Sequence, residues 1–299
     1  MLDQLPTELV AMIFKLTAEI FRFTDRKTVV HLATTSKMVY DLVSPVLHHT
    51  LIITASNVES FRNFDASEPV LARRICAHTR AIYLIGPAST LDSFEKFAQI
   101  EQVEAMPAAI PVVAKSRSPC TLRRIAVSFG YLDTLMDIPL PADAYQLITH
   151  ATGHYSMDNT SDSMVIRGAW MQKLVSQCTA LTHLGLALFL SNRMMPEFDI
   201  AVLERDLKAA LQTTHLRQLA VRVSAADDET QRYVRDINGL LRTIGDPRLR
   251  LWHETRRIWA WKDYMQCDLD DAKEGRSIWT EAVQLSSLAC LFRGATSHV

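Results

Sequence analysis

Hydrophobic and polar positions divide the chain into a short helical segment and a longer segment in which strands alternate with helices. Up to about residue 50, apolar residues recur every three or four positions, which is the spacing of amphipathic helices. From residue 55 onward, short runs that alternate between apolar and polar residues, or are apolar throughout, predict β-strands. We therefore expect two domains, which cover residues 1–54 and 55–299.

Three short helices are predicted in the first segment. Pro6 suits the first turn of a helix, where its missing N–H is not needed, so the first helix should start at about residue 6. Thr24 or Asp25 is a good N-cap for the second helix, and Ser36 precedes the third. Pro45 should bend or end that third helix.

The first helix carries more apolar surface than one buried face requires. On a helical wheel its apolar residues form two stripes, about a quarter-turn or more apart. Three short helices bury little surface, so we expect the second stripe to contact either a partner protein or the C-terminal domain of the same chain. The first stripe consists of Leu9, Met12, Ile13, Leu16 and Ile20, and the second of Val10, Phe14 and Phe21.

The order and spacing of these residues resemble an F-box, the adaptor-binding module of SCF-type ubiquitin ligases. The resemblance covers about residues 3–54. The stretch between Phe14 and Ser36 is longer than usual in that family, and Val39 stands where an aromatic residue is common. The matching motifs are Leu5-Pro6-x-Glu8-Leu9-x-x-x-Ile13-Phe14-x-Leu16, Leu32-Ala33-x-Thr35-Ser36-Lys37-x-x-Tyr40-x-Leu42 and Ser44-Pro45-Val46-Leu47.

This resemblance implies two partners, a Skp-type adaptor and, through it, a cullin. In F-box proteins, the Leu-Pro pair and the apolar residues of the first helix dock on the adaptor. By match of position, the adaptor-binding residues of this chain should be Leu5, Pro6, Leu9, Val10, Ile13 and Phe14.

The second domain shows an α/β rhythm with a recurring leucine pattern. Phrases of the form L-x-x-L-x-L, with Ile or Val at some positions, begin at Leu122, Leu181 and Leu216 and resemble leucine-rich repeats. Their uneven spacing predicts an irregular, degenerate α/β solenoid with long loops at 106–119 and 132–162, and a non-repetitive α/β domain is the alternative. Strands are predicted at 81–85, 122–129, 181–190, 216–223 and 249–252, and helices at 91–106, 165–178, 200–212 and 229–244.

An F-box followed by leucine-rich repeats implies that the C-terminal domain recognises a client protein destined for ubiquitination. Strand alternation places several arginines and a tryptophan on the face opposite the predicted core. These residue types are common binding anchors, although ordinary solvated strand positions would show the same alternation. The candidate client-binding residues are Arg124, Gln218, Arg222, Arg250 and Trp252.

Near the C-terminus, aromatic and basic residues alternate. This pattern is typical of a nucleic-acid platform, of a site for a phosphorylated partner or of the packed end of a solenoid, and its tryptophans are Trp252, Trp259, Trp261 and, further on, Trp279. The neighbouring acids would repel phosphate, which favours packing. We therefore predict no nucleic-acid partner.

No catalytic motif is present in the sequence: it contains no P-loop, no G-x-S-x-G and no H-E-x-x-H. The pair His150-x-x-x-His154, with Asp158 nearby, has a metal-like spacing, but Gly153 and the polar residues after it favour a loop. We therefore predict a protein that is not an enzyme and uses no metal or cofactor.

Composition sets the expected compartment. A formal net charge of −1 and a pI near 6.8 provide no general attraction to nucleic acid or anionic membranes. Five scattered cysteines without a C-x-x-C pair suit a reducing compartment. Without a signal-peptide or membrane-span pattern, we expect a cytoplasmic or nuclear protein with no membrane partner.

Together these features predict a substrate-recognition subunit of an SCF-type ubiquitin ligase. One alternative is an F-box-like scaffold that binds the adaptor but has no degradation client. Another is an intracellular hydrolase or transferase on an irregular α/β fold.

Overall fold

The computed structural model shows a mixed α/β protein in which helices precede a nine-stranded, mostly parallel sheet. This confirms the predicted α/β class. None of the helices in the described part of the chain is long and apolar enough to cross a bilayer. The described residues are 5–85, 96–105, 110, 121–131, 140, 142–154, 174–190, 199–225, 231–256 and 261–285.

The N-terminal segment folds into three helices whose starts follow the predicted caps. The Asp25 carboxylate accepts the backbone N–H of Thr28 at 3.3 Å, and the Ser36 hydroxyl accepts that of Val39 at 3.2 Å. Each cap satisfies a donor that the first helical turn leaves without a partner. The helices are α1 (Thr7–Thr24), α2 (Arg26–Thr35) and α3 (Lys37–Leu47).

A small apolar core holds these helices together. Small and β-branched residues dominate it, and larger side chains, including Phe14 and Tyr40, pack at its margin. Such a core is too small to cover every apolar side chain of α1. Its buried members are Ala18, Val29, Ala33, Val39, Val43 and Val46.

The sheet follows the order of the chain, so each strand pairs with the strands before and after it in sequence. The first eight strands are parallel, and the last is antiparallel. The strands are β1 (Thr50–Thr54), β2 (Ala81–Ile85), β3 (Gln102–Ala105), β4 (Arg124–Tyr131), β5 (His150–His154), β6 (His183–Leu190), β7 (Gln218–Ala225), β8 (Leu249–Glu254) and β9 (Val283–Gln284).

One backbone arrangement repeats along the N-terminal ends of the strands. In each case, two successive N–H groups donate to the carbonyl that precedes the neighbouring strand. The donor pairs are Arg80 and Ala81 to His49, Glu101 and Gln102 to Arg80, Arg123 and Arg124 to Glu101, Thr149 and His150 to Arg123, His183 and Thr182 to Thr149, and Arg217 and Gln218 to Thr182.

The two faces of the sheet differ sharply in polarity. Strand alternation gives the outer face in-register apolar columns that form the main core with the helices. The opposite, inner face carries polar, aromatic and small side chains. One outer column runs through Ile82, Val103, Ile125, Ala151, Leu184, Leu219 and Leu249, and the neighbouring inner column through Tyr83, Glu104, Ala126, Thr152, Gly185, Ala220 and Arg250.

The remaining helices fall into two groups. Five of the described helices, which lie between residues 58 and 244, bury apolar side chains such as Val58, Leu207 and Ile237 in the main core. In contrast, α9 (Trp261–Glu274) contacts β1, β2 and α1, so the C-terminal part of the chain returns to its N-terminal part. The helices are α4 (Val58–Ser67), α5 (Pro69–His78), α6 (Ala142–Leu147), α7 (Ile200–Leu211), α8 (Gln231–Ile244), α9 (Trp261–Glu274) and α10 (Ile278–Glu281).

The predicted strands at 81–85, 122–129, 181–190, 216–223 and 249–252 and the helices near 200–212 and 229–244 are confirmed to within about two residues, whereas two other assignments are wrong. The helix predicted to 106 is replaced at its end by β3, and the segment around Gly153, predicted as a loop, is β5. Helices α4 and α5 and strand β1 were not predicted. Most of the predicted helix at 165–178, most of both long loops and residue Trp259 lie outside the described residues.

Candidate functional site

Helix α1 presents an apolar stripe to solvent. Its members are between 39% and 67% exposed, although their spacing along the helix is that of a buried face. Within the described part of the chain, exposed large apolar residues beyond the three N-terminal helices are few: Val70, Leu71 and Val283. We call this surface the α1 stripe, and it consists of Leu5, Leu9, Met12, Ile13, Leu16 and Ile20.

The outward stripe is the first of the two predicted stripes, not the second. Phe14, from the second stripe, packs against the core of the three helices, and Val10 is half-buried. The expectation that the second stripe faces a partner is therefore wrong for Phe14. The small helical core accommodates one side of α1, which leaves the other side uncovered.

The predicted adaptor-binding residues accordingly divide into two groups. Leu5, Leu9 and Ile13 belong to the α1 stripe, and Pro6 is exposed at the start of the helix. Val10 and Phe14 point toward their own domain to a larger extent. A protein that docks on α1 would therefore contact the first group most directly.

A second candidate site is a cavity of about 370 Å³ on the inner face of the sheet. Its walls come from the end of α1, from strands β1 to β8, and from the segment spanning α9 and α10. Gly185 allows that segment to lie against the sheet, because a Cβ there would be 3.2 Å from the Ile278 side chain. We call this space between the sheet and the C-terminal segment the inner-face cavity.

An ion-pair network fastens α9 to the sheet beside this cavity. Arg222 of β7 donates to Glu254 of β8 at 2.8 Å and to Asp271 of α9 at 2.9 Å. Arg256 donates to the same two carboxylates, at 2.6 and 2.7 Å. The Arg222 guanidinium also lies 4.1 Å from the centre of the Trp252 ring.

This network overturns part of the predicted client surface. Arg222 and Trp252 do lie on the face opposite the main core, but they are only 6% and 9% exposed because the C-terminal segment covers them. The expectation that they face solvent is therefore wrong. Gln218 and Arg250 are half-buried, and Arg250 donates to the carbonyl of Pro247, whereas Arg124 is exposed and lines the cavity.

The carboxylates around the cavity titrate differently. Burial raises the pKa of Glu254, but hydrogen bonds from Arg256 and the charges of Arg222 and Arg256 outweigh it and lower that pKa to about 2. Burial, together with the charge of Glu104, raises the pKa of Asp268. Arg222, which donates to Asp268 at 3.3 Å, acts in the opposite direction and lowers this pKa.

The predicted histidine pair is not arranged around a metal. His150 and His154 lie on strand β5, where His150 stacks on His183 with ring centres 4.1 Å apart. Trp279 meets both of these rings edge-on, at 5.4 and 5.6 Å. Asp158 lies outside the described residues, and no group of three potential ligands in the described ranges is placed to hold a metal ion.

Two of the C-terminal tryptophans are packed side chains. Trp252 and Trp279 pack with Ala220 and Ile278 on the inner face of the sheet. This arrangement favours the packing interpretation over a platform for nucleic-acid bases.

Several cavity residues were not singled out from the sequence. Arg22 lies at the end of an amphipathic helix and gave no signal. Tyr83 alternates with buried residues in the correctly predicted strand β2, so its inner-face position could have been derived. Glu104 lies in a segment that was predicted as helix.

No protein-family model, curated protein or solved structure matches this chain. Its function is therefore inferred from its own residues and geometry.

Proposed function

We propose that this chain is the substrate-recognition subunit of an SCF-type ubiquitin ligase. Residues 1–54 would act as an F-box-like domain that binds a Skp-type adaptor, and residues 55–299 would bind a client protein. The α1 stripe is the observation that carries this proposal, because an ordered apolar face left uncovered marks a protein interaction site.

The energy available from the stripe is sufficient for docking. Each of its six half-exposed side chains would contribute about 1 kcal/mol on burial, half or less of the value for full burial. A sum of several kcal/mol must also offset the entropy lost on association. Further contacts around the stripe would therefore have to contribute to a stable complex.

The order of the strands supports a leucine-rich-repeat-like solenoid for the second domain. In such proteins each repeat contacts only its neighbours, and here every strand pairs with its sequence neighbours. The repeated backbone arrangement at the N-terminal ends of the strands has the same regularity.

This function needs no acid or base from the chain itself. Holding a client lysine close to a ubiquitin thioester on a partner raises its effective concentration. The proposed partners imply a cytoplasmic or nuclear protein.

Co-expression with a Skp-type adaptor tests the proposal. We expect the full chain to co-purify with the adaptor and the Leu9→Asp, Ile13→Asp double variant to lose it. Val70→Asp is a matched control, because Val70 is an exposed apolar residue on α5. Failure of the wild-type chain to bind would refute the proposal.

Client recruitment is tested separately in cells. Replacing the wild-type chain with the double variant should slow the degradation of client proteins while leaving the second domain intact. If adaptor binding holds but no protein is stabilised, the chain is an adaptor-bound scaffold without a degradation client.

A further inference from the structure

Two arginines that line the inner-face cavity have no direct acidic partner in the described part of the chain, and Glu19 acts on Arg22 only at longer range. Arg22 comes from the end of α1 and Arg124 from the start of β4, and both line the cavity. Neither forms an ion pair with any residue in the described ranges. By contrast, Arg222 and Arg276 in the same wall are both paired with acids.

The Arg22 side chain is partly buried although few groups of the protein stabilise its positive charge. Its Nε is buried and has no hydrogen-bond partner within the described part of the chain. Its guanidinium stacks on the Phe23 ring at 4.2 Å, and burial lowers its pKa. An anion that accepts hydrogen bonds from a partly desolvated guanidinium strongly stabilises its charged form.

The strand register brings Arg124 toward the same part of the cavity. Ala81, Gln102 and Arg124 are successive in-register positions on β2, β3 and β4. Adjacent strands are about 4.8 Å apart, so the backbone of Arg124 lies roughly 10 Å from that of Ala81, which lines the same cavity as Arg22. The cavity volume of about 370 Å³ leaves room for a group of a few atoms beside these side chains.

Tyr83 adds a neutral donor beside the two cations. The Gln102 amide donates to the Tyr83 hydroxyl at 2.9 Å, so the phenolic proton can point to another acceptor. Both Arg22 and Arg124 act electrostatically on Tyr83, which places all three groups near one another. Burial raises the pKa of Tyr83, so the hydroxyl keeps its proton.

We propose that Arg22, Tyr83 and Arg124 form a binding site for an oxyanion, either a phosphate or a carboxylate group. The three groups supply two charge-assisted donors and one neutral donor, which match the several acceptor oxygens of such a group. That the oxyanion belongs to a client rests on the proposed function. Glu104, the in-register neighbour of Tyr83, opposes binding through its negative charge. Removing that charge should therefore strengthen binding, whereas removing an arginine should weaken it.

Thermal unfolding of the purified full chain tests this site. The melting temperature is measured against increasing inorganic phosphate or acetate, with sodium chloride at equal ionic strength as the reference. An anion that binds the native state raises the melting temperature by mass action. A stronger response to phosphate identifies a phosphate group as the ligand, and an equal or stronger response to acetate identifies a carboxylate.

Three variants locate the binding. Arg124→Gln should weaken it about tenfold, the effect of losing one charge-assisted hydrogen bond of about 1.4 kcal/mol. Glu104→Gln should strengthen it. Arg217→Gln is the matched control, since Arg217 is exposed at the same end of the sheet, outside the cavity, and should behave like the wild type.

Two results would overturn the proposal: no response beyond that to chloride, or the same response in Arg124→Gln as in the wild type. The second result is expected if phosphate stabilises the protein through its whole surface instead of through this site, because one arginine would then make no difference. Adaptor co-purification, measured on the same variants, should be unchanged in Arg124→Gln. Absence of an anion response in the wild-type chain, with adaptor binding intact, would reject this site and leave the adaptor proposal standing.

Discussion

The N-terminal helices and the sheet place equally regular apolar patterns in opposite environments. On the outer face of the sheet, Leu184, Leu219 and Leu249 are completely buried. On α1, Leu9 and Leu16 follow helical spacing just as faithfully and remain more than 40% exposed. A periodic pattern therefore identifies a face that will be covered, but does not say whether the cover comes from the same chain.

The difference follows from what each region has available to pack against it. The sheet has helices such as α7 and α8 beside its apolar columns, whereas the three N-terminal helices have only a core of six buried residues. The C-terminal segment, as far as it is described, does reach α1, but it contacts the end around Phe23 rather than the stripe. We infer that the cover of the stripe is a separate protein.

The largest expected effect concerns the polar face of the sheet. Arg222→Met should destabilise the fold by about 3 kcal/mol, because it removes one of the two arginines that buried Glu254 and Asp271 share and breaks the ion pair with Asp268. Chemical denaturation would measure this loss. Lys208→Met, which removes the exposed pair with Glu204, should cost about 0.5 kcal/mol or less, and equal losses in both variants would contradict the assigned role of the network.

A matched pair of leucines tests the comparison itself. Leu184→Ala should cost about 3 kcal/mol, because it removes a fully buried side chain from the main core. Leu16→Ala, on the α1 stripe, should change the unfolding free energy by about 0.5 kcal/mol or less. If Leu16→Ala were as costly as Leu184→Ala, the stripe would be part of the protein's own core.

The inner face should also make stability depend on pH. Burial and nearby Arg222 lower the pKa of His154 to about 4, below the 6.5 expected when the chain unfolds. As the pH falls through 6.5, the unfolded chain binds the proton first, so stability present above pH 6.5 is lost progressively down to about pH 4.

By pH 5, His154 alone should account for a loss of about 2 kcal/mol. In the His154→Gln variant, the unfolding free energy should fall less than in the wild type when both are measured between pH 7 and 5. A difference between the two that stays constant over this range would show that His154 is not held neutral by the fold.

Two glycines give smaller effects of opposite sign. Gly275 has φ 69° and a Cβ there would lie 2.5 Å from the Phe23 ring, so Gly275→Ala should cost about 1–2 kcal/mol and loosen the contact between α9 and α1. Gly239, within α8, has no neighbour within 4 Å of a new Cβ. Gly239→Ala should stabilise by about 0.5–1 kcal/mol, measured as a shift in the denaturation midpoint.

The sequence predicted those elements whose periodicity was strong and whose packing was local. Strand β2 is a short apolar run, and α8 has apolar residues at helical spacing, so both were predicted correctly. Strand β5 has the sequence His-Ala-Thr-Gly-His, whose polar residues are not typical of a buried strand. They occur there because they face the C-terminal segment rather than solvent.

The sites depend on contacts that no local pattern encodes. Which stripe of α1 faces outward was decided by Ala18 and Phe14 packing against α2 and α3. Arg222 looked like an exposed strand residue because its covering acids, Asp268 and Asp271, are about fifty positions away in sequence. Similarly, Arg22 and Arg124 line the same cavity only because the fold brings α1 to the sheet.

Titration calorimetry of the full chain with a purified Skp-type adaptor tests the central claim most directly. If the α1 stripe is the docking surface, binding should be one to one, with a negative heat-capacity change because apolar surface leaves water. The Leu9→Asp, Ile13→Asp variant should then show no binding while keeping the wild-type melting temperature. Absence of binding by the wild type, or unchanged affinity in the variant, would contradict the account.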